Sequence, residues 1–156
     1  MKSGQIKPAR SIFTEMKTDI SFLLYFESTE RARIIASLAS FCVNTASGQF
    51  DPDLIHDDCS VSFVLDREAT TDWYYDWYES SRIIGEKILI GSIQLWITES
   101  RDEICFEFWA NTSSNGKACL DSTNLRNELF KLARENKGFK VQLDHGNGFV
   151  EVLSHI

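Results

Sequence analysis

The clearest hydrophobic pattern is the alternation of apolar and polar residues in two neighbouring segments, 88–98 and 103–111, separated by residues 99–102. Successive side chains of a strand point to opposite faces, so this pattern predicts two half-buried strands joined by a turn. Pairing Glu99 with Asp102 opposes apolar residues on one face: Ile97 to Ile104, Leu95 to Phe106 and Ile93 to Phe108. The opposite, mixed face carries Gln94, Trp96, Cys105, Glu107 and Trp109. We therefore predict an antiparallel hairpin that is covered on its apolar side.

Further strands are predicted where the same alternation recurs, at residues 20–27 and 59–66 and in a closing hairpin formed by residues 139–144 and 149–154. The turn of the closing hairpin, residues 145–148, contains two glycines and suits a tight reversal. We pair His145 with Gly148 there, which opposes Leu143 to Val150 and Val141 to Val152 on the core face.

Two helices are predicted from apolar residues at helical spacing. The first follows a Ser28 cap and carries Ile34, Ile35, Leu38, Phe41 and Cys42. The second begins after Asp121 or Ser122, carries Leu125, Leu129 and Leu132, and stops before Gly138. Residues 44–58 between the first helix and the next strand are predicted to be a loop.

The predicted order of elements is β-α-β-β-β-α-β-β, which indicates an α+β fold with an antiparallel sheet and two main helices packed on one face. A ferredoxin-like core with extra strands is one topology consistent with this order. A chain of 156 residues forms a single domain by the usual prior, so we predict one domain over residues 1–156, with residues 1–18 as a tail or short helix.

Charge is concentrated in one part of the chain. Residues 51–79 hold nine acids and one base, a net charge of −8, whereas the other residues hold fourteen acids and fifteen bases, a net charge of +1. Direct binding of nucleic acid through the acidic stretch is disfavoured because phosphates require Lys or Arg. The same field favours a basic protein partner.

An unusual acidic and aromatic run follows the strand at residues 59–66. If it is helical, Asp72 and Asp76, Trp73 and Trp77, and Tyr74 and Tyr78 stack at a spacing of four residues. Trp and Tyr are enriched at binding hot spots. One interpretation is that these aromatics cover an edge of the sheet; the other is a partner-binding surface made of Asp66, Glu68, Asp72, Trp73, Tyr74, Asp76, Trp77, Tyr78 and Glu79.

The chain carries no phosphate-binding loop, dinucleotide fingerprint or nucleophile elbow. Residues 51–62 resemble a calcium loop in their acids, but His56 stands where that loop needs Gly and Ser62 stands where it needs Glu. The four cysteines form no closely spaced pair of the kind that zinc sites use. We therefore predict no catalytic residue, no cofactor and no metal, and we interpret the cysteines as reduced thiols.

The amino terminus lacks the apolar stretch of a secretory signal, and no apolar run approaches the ~20 residues of a membrane helix, so we expect a cytoplasmic protein that does not bind a membrane. A small, acidic α+β chain without catalytic motifs resembles the bacterial immunity proteins that neutralise toxins of contact-dependent, Rhs or type VI systems. The resemblance implies a non-catalytic inhibitor whose partner is a basic toxin domain. A homo-oligomer is left open.

Two alternatives stand beside this hypothesis. One is a small-ligand-binding protein or enzyme with a pocket between sheet and helices, for which Glu107, Gln94 and His145 supply candidate polar groups. The other is an adaptor subunit of a larger assembly.

Overall fold

The computed structural model describes residues 20–27, 30–66, 81–84, 87–110, 123–146 and 148–154. These residues form one antiparallel sheet and two helices, which confirms the predicted α+β class. The strands are β1 (Ile20–Glu27), β2 (Cys42–Asn44), β3 (Asp58–Asp66), β4 (Ser81–Ile84), β5 (Lys87–Glu99), β6 (Glu103–Ala110), β7 (Gly138–Asp144) and β8 (Val150–Ser154). The helices are α1 (Arg31–Leu38) and α2 (Thr123–Glu135).

The sheet runs in the order β2-β3-β5-β6-β1-β7-β8, and β4 pairs with β5 beside this path. β1 lies between β6 and β7 and pairs antiparallel with both. The long β5 pairs with β3 along one edge, while β4 and β6 share its other edge. The ferredoxin-like core stays a prediction.

The core lies on one face of this sheet. Alternate residues of β1, Phe22, Leu24 and Phe26, are completely buried, as the alternation predicts. The same cluster includes Ile34 and Leu38 of α1 and the leucine stripe of α2, which is Leu125, Leu129 and Leu132. Both helices therefore contribute their apolar stripes to one continuous core.

The central hairpin has the predicted faces but a different register. Leu95 pairs with Phe108 and Ile97 pairs with Phe106, so each partner is shifted by two residues from the prediction. The reason is the turn, because Ser100 N–H donates to the Glu103 carbonyl at 2.9 Å and closes the reversal around residues 101–102. A shift of two residues preserves which side chains share a face, so the six apolar residues of this hairpin are buried as predicted.

The closing hairpin was predicted one residue out of register, and this error changes the faces. Leu143 pairs with Glu151 and Gln142 with Val152, with a further irregularity next to Val141. His145 N–H donates to the Phe149 carbonyl at 3.0 Å, which makes the loop one residue longer than a pairing of His145 with Gly148 allows. The prediction that Val150 and Val152 face the core is therefore wrong; each is 46% exposed.

The loop predicted at residues 44–58 contains more structure than the pattern shows. The helix α1 ends at Leu38, so Cys42 begins the short strand β2 rather than extending the helical stripe. A 3₁₀ turn follows at Pro52–Leu54, and Asp51 caps it by accepting a hydrogen bond from Asp53 N–H at 3.0 Å. With β2 and β4, the order of elements has two strands more than predicted.

The end of α2 differs from the predicted glycine stop. The left-handed residue is Lys137, with φ of 64°, and Asn136 Nδ2 donates to the Leu132 carbonyl at 2.9 Å. Gly138 instead begins β7 at a point where a Cβ atom would lie 2.8 Å from Ala133 Cβ. The glycine is needed for close packing and not for its backbone angle. The N-cap of α1 is Glu30, whose side chain makes no capping hydrogen bond, and not the predicted Ser28. The predicted tail, Ser28 and the predicted caps of α2 lie outside the described residues.

Candidate functional site

The nine residues predicted to bind a partner lie almost entirely beyond the part of the chain that the structure describes. Asp66 ends β3, and its backbone pairs with Lys87. The other eight fall within residues 67–80: Glu68, Asp72, Trp73, Tyr74, Asp76, Trp77, Tyr78 and Glu79. Their role stays a prediction. The described half of the acidic stretch, residues 51–66, can be placed.

A row of paired side chains crosses the mixed face of the sheet. Each residue of the row is the strand partner of the next, and from β3 to β8 they are Asp58, Trp96, Glu107, Leu23, Gln142 and Val152. Asp58 is exposed and Trp96 is half-buried, whereas Glu107 is only 3% exposed. The row is acidic and aromatic at its β3 end and apolar at its β8 end.

Asp58 connects the acidic stretch to the mixed face of the central hairpin. Its Oδ1 atom accepts hydrogen bonds from Gln94 Nε2 at 2.6 Å and from Trp96 Nε1 at 3.0 Å. No described residue donates to its second oxygen, Oδ2. The carboxylate is thereby held at a defined position while one oxygen stays available to a donor from outside the chain.

The two tryptophans of the mixed face lie next to each other. The rings of Trp96 and Trp109 have centroids 5.2 Å apart and planes at 59°. Both residues are half-buried, so each keeps part of its surface accessible. We call Asp58, Gln94, Trp96 and Trp109 the Asp58–tryptophan patch. It combines a fixed carboxylate with a large aromatic area, which is the composition of many protein-binding hot spots.

A second acid of the same stretch is tied to the helix. Arg31 donates from Nη2 to Asp57 Oδ1 at 2.8 Å and from Nη1 to Glu99 Oε1 at 3.2 Å. These groups are between a third and a half exposed, so the ion pairs add little stability. Their effect is geometric, because they join the start of α1 to the ends of β3 and β5 beside the patch.

The first acid of the calcium-like loop, residues 51–62, has a local structural role. Asp51 caps the 3₁₀ turn, and Asp53 is exposed. Within the described residues, no group of three or more His, Cys, Asp or Glu side chains is placed to hold a metal ion.

Tyr25 anchors a separate cluster on the mixed face, at β1 and β7. Its hydroxyl donates to Gln142 Oε1 at 3.0 Å, and Lys140 Nζ lies 4.4 Å from the ring centroid. Burial raises the pKa of Tyr25 well above its ordinary value, and the neighbouring Cys105 acts in the same direction. The phenol is therefore neutral at physiological pH and serves as a hydrogen-bond donor.

The structure describes three thiols, and none of them forms a disulfide: Cys42 is buried, and Cys59 and Cys105 are half-buried. Burial raises the pKa of the Cys59 thiol, and Asp58 adds to the effect. A raised pKa lowers the thiolate fraction at neutral pH, which disfavours a nucleophilic role for this side chain.

The polar groups suggested for an enzyme or ligand site are not brought together. Gln94 and Glu107 lie on adjacent strands. His145 is distant from Gln94, because its neighbour Asp144 is separated from Gln94 by three strand spacings across the sheet, about 14 Å. A cleft of about 280 Å³ does exist, but its lining comes from α1, α2 and the turn after α1. It contains no strand residue, so it is not the predicted pocket between sheet and helices.

Comparison of the chain with protein-family models, with curated proteins and with solved structures found no match. Among the described residues, no helix has the length and apolar character needed to span a membrane. The fold and the patch together define an α+β chain with an acidic and aromatic surface.

Proposed function

We propose that this chain is a non-catalytic inhibitor that binds a basic protein partner through the Asp58–tryptophan patch, and that it acts as the immunity protein of a toxin in the cytoplasm. The observation that carries the proposal is the contact between Asp58 and Trp96, at 3.0 Å. It joins two features that lie 38 residues apart in the sequence, the acidic stretch and the mixed face.

Charge and aromatic area have different roles in this proposal. Acids that surround an interface accelerate encounter with a basic partner, and this effect falls as salt screens the charges. Half-buried tryptophans supply contact area that slows dissociation. The free Oδ2 atom of Asp58 can accept a hydrogen bond from a Lys or Arg of the partner, while its Oδ1 atom stays bonded to Trp96 and Gln94.

The eight predicted residues beyond Asp66 are retained as a second contact region. β3 carries the chain from Asp58 to Asp66 over nine residues, which places these two acids about 27 Å apart. A partner of domain size can span this distance. Variants in the two regions therefore report separately on where the partner binds.

The direct test first seeks a toxin domain in the open reading frames next to the gene of this chain, and then measures both inhibition of that toxin and the rates of association. Asp58→Asn keeps the shape of the side chain and removes its charge, so we expect slower association and a weaker salt dependence. Asp53→Asn is the matched control, because it removes an exposed charge of the same stretch that belongs to the 3₁₀ turn and not to the patch.

The aromatic part is tested with Trp96→Ala. The control is Phe50→Ala, because the Phe50 side chain is 55% exposed and is not part of the patch. Loss of a hot spot costs about 2 kcal/mol or more, which is about 30-fold in affinity. We expect that loss for Trp96→Ala and little change for Phe50→Ala. Equal affinity in all folded variants would place the interface outside the patch, and a partner that binds without being inhibited would favour the adaptor alternative.

A further inference from the structure

Two consecutive acids at the point where β3 begins are held in different ways. Asp57 forms an ion pair with Arg31, whose guanidinium also binds Glu99. Asp58 instead accepts both of its hydrogen bonds from neutral side chains. Within the described residues, no Lys, Arg or His forms an ion pair with Asp58. Neutral donors fix the position of a carboxylate without cancelling its charge, so Asp58 keeps a negative charge that no described base neutralises.

The carboxylate of Asp58 is oriented by hydrogen bonds that cross from β3 to β5. Ser60 Oγ donates to Gln94 Oε1 at 3.4 Å, and the amide nitrogen of the same glutamine donates to Asp58 Oδ1 at 2.6 Å. Trp96 Nε1 donates to Oδ1 as well, at 3.0 Å. Because both donors bind one oxygen, a group that binds Asp58 from outside the described chain meets Oδ2.

An aromatic surface lies beside this carboxylate. The Oδ1 atom of Asp58 is 3.0 Å from Nε1 of Trp96, so a cation that donates to Oδ2 lies next to the indole ring of Trp96. The ring of Trp109 follows, with its centroid 5.2 Å from that of Trp96 and its plane at 59°, so the two rings form a corner. The negative face of an aromatic ring attracts a cation. A carboxylate oxygen and a ring therefore act on a cation at the same place.

We propose that the Asp58–tryptophan patch is a binding site for a guanidinium group, and that an arginine side chain of the basic partner is its ligand. The guanidinium donates to Asp58 Oδ2 and stacks on the indole of Trp96. The identity of the partner rests on the proposed function, whereas the chemistry of the site rests on these contacts alone.

Arginine suits this arrangement better than lysine does. The guanidinium is planar, so it donates hydrogen bonds in its plane while its face stacks on an aromatic ring, and it is more weakly hydrated than an ammonium group. An ammonium group also donates to a carboxylate, but it has no flat face to place on a ring and holds its water more strongly. A cation–π contact at a partly exposed site corresponds to a preference of about five-fold in affinity.

The site is tested on the full chain alone, with two small probes of equal charge, Nα-acetyl-arginine amide and Nα-acetyl-lysine amide. NMR spectra follow the indole N–H signals of Trp96 and Trp109, which are assigned by replacing each tryptophan with Phe in turn. We expect both probes to shift the Trp96 signal in a saturable way. The affinity for the arginine amide should be about five-fold higher.

Variants that keep a folded spectrum separate the charge from the ring. Asp58→Asn keeps the shape of the side chain and removes its charge, so saturable binding of both probes should be lost. Asp53→Asn removes an exposed charge of the 3₁₀ turn and should leave both affinities unchanged. Trp96→Leu, followed at the Trp109 signal, removes the stacking surface and should abolish the preference for the arginine amide. A ring that only supports the fold would leave that preference in place.

Three results would overturn the proposal: no saturable shift with the arginine amide, equal affinity of the wild type for both probes, or binding that survives Asp58→Asn. No toxin is present in this experiment, so its failure is distinct from failure of the proposed function. Binding of the arginine amide without inhibition of any neighbouring toxin would leave the site and refute the inhibitor. Inhibition of a toxin by a chain that does not bind the arginine amide would do the reverse.

Discussion

The register of the central hairpin can be tested by a disulfide within it. Thr98 lies opposite Cys105 in the structure, whereas the pairing predicted from the sequence places Trp96 opposite Cys105. Since Ser100 and Glu103 are hydrogen-bonded to each other, alternation makes Thr98 and Cys105 a hydrogen-bonded pair as well, with Cα atoms about 5.5 Å apart. This distance allows a disulfide. We therefore expect Thr98→Cys to form a bond with the native Cys105.

The expected stabilisation follows from the length of the closed loop. Residues 98–105 form a loop of eight residues, and the chain-entropy relation gives about 2.5 kcal/mol for a loop of this size. Denaturation in urea, with and without a reductant, measures that difference, and peptide mapping identifies the bonded thiols. Strain in the native hairpin would reduce the gain without preventing the bond.

The control is Trp96→Cys, which lies diagonally from Cys105 in the structure at about 7–8 Å, too far for an unstrained bond. We expect this variant to remain reduced under conditions that oxidise Thr98→Cys. The reverse result, with a bond to Cys105 from position 96 and none from position 98, would refute the two-residue correction of the register.

Two further predictions concern packing and pH. Gly138→Ala should lower the free energy of unfolding by about 1–3 kcal/mol, because the added Cβ would lie 2.8 Å from Ala133 Cβ. Combining it with Ala133→Gly should recover part of this loss, as measured by urea denaturation. Strictly additive effects of the two substitutions would contradict the proposed clash. The pKa of Tyr25 is raised on folding, so its contribution to stability is complete below about pH 10 and is lost as pH rises through the folded-state pKa. The stability difference between wild type and Tyr25→Phe should therefore shrink at alkaline pH, and a constant difference would contradict this account.

The sequence determined which side chains of the central hairpin share a face, but not which residues pair. Strand alternation has a period of two, so the apolar set of β5 and β6 faces the same side whether Leu95 pairs with Phe106 or with Phe108. The turn decides between these registers through the hydrogen bond from Ser100 to Glu103, and several turns fit the same local sequence.

The closing hairpin shows the opposite case, since its error of one residue exchanged the faces of β8. Val150 and Val152 alternate as core residues do, and nothing in their own sequence separates a core face from an exposed edge. Their exposure depends on the pairing of Asp144 with Val150 and on the place of β8 at the end of the sheet. Both are properties of the whole chain.

The candidate site shows the same division between local and distant information. Composition alone locates the acidic stretch, and alternation alone places Trp96 and Trp109 on a mixed face. The order of strands decides that β3 lies beside β5, and this brings Asp58 to 3.0 Å from Trp96. Local sequence patterns indicate periodicity and burial, because both depend on residues that lie close together in the chain. A contact between residues 38 positions apart depends on which strands pair, and only the tertiary structure decides this.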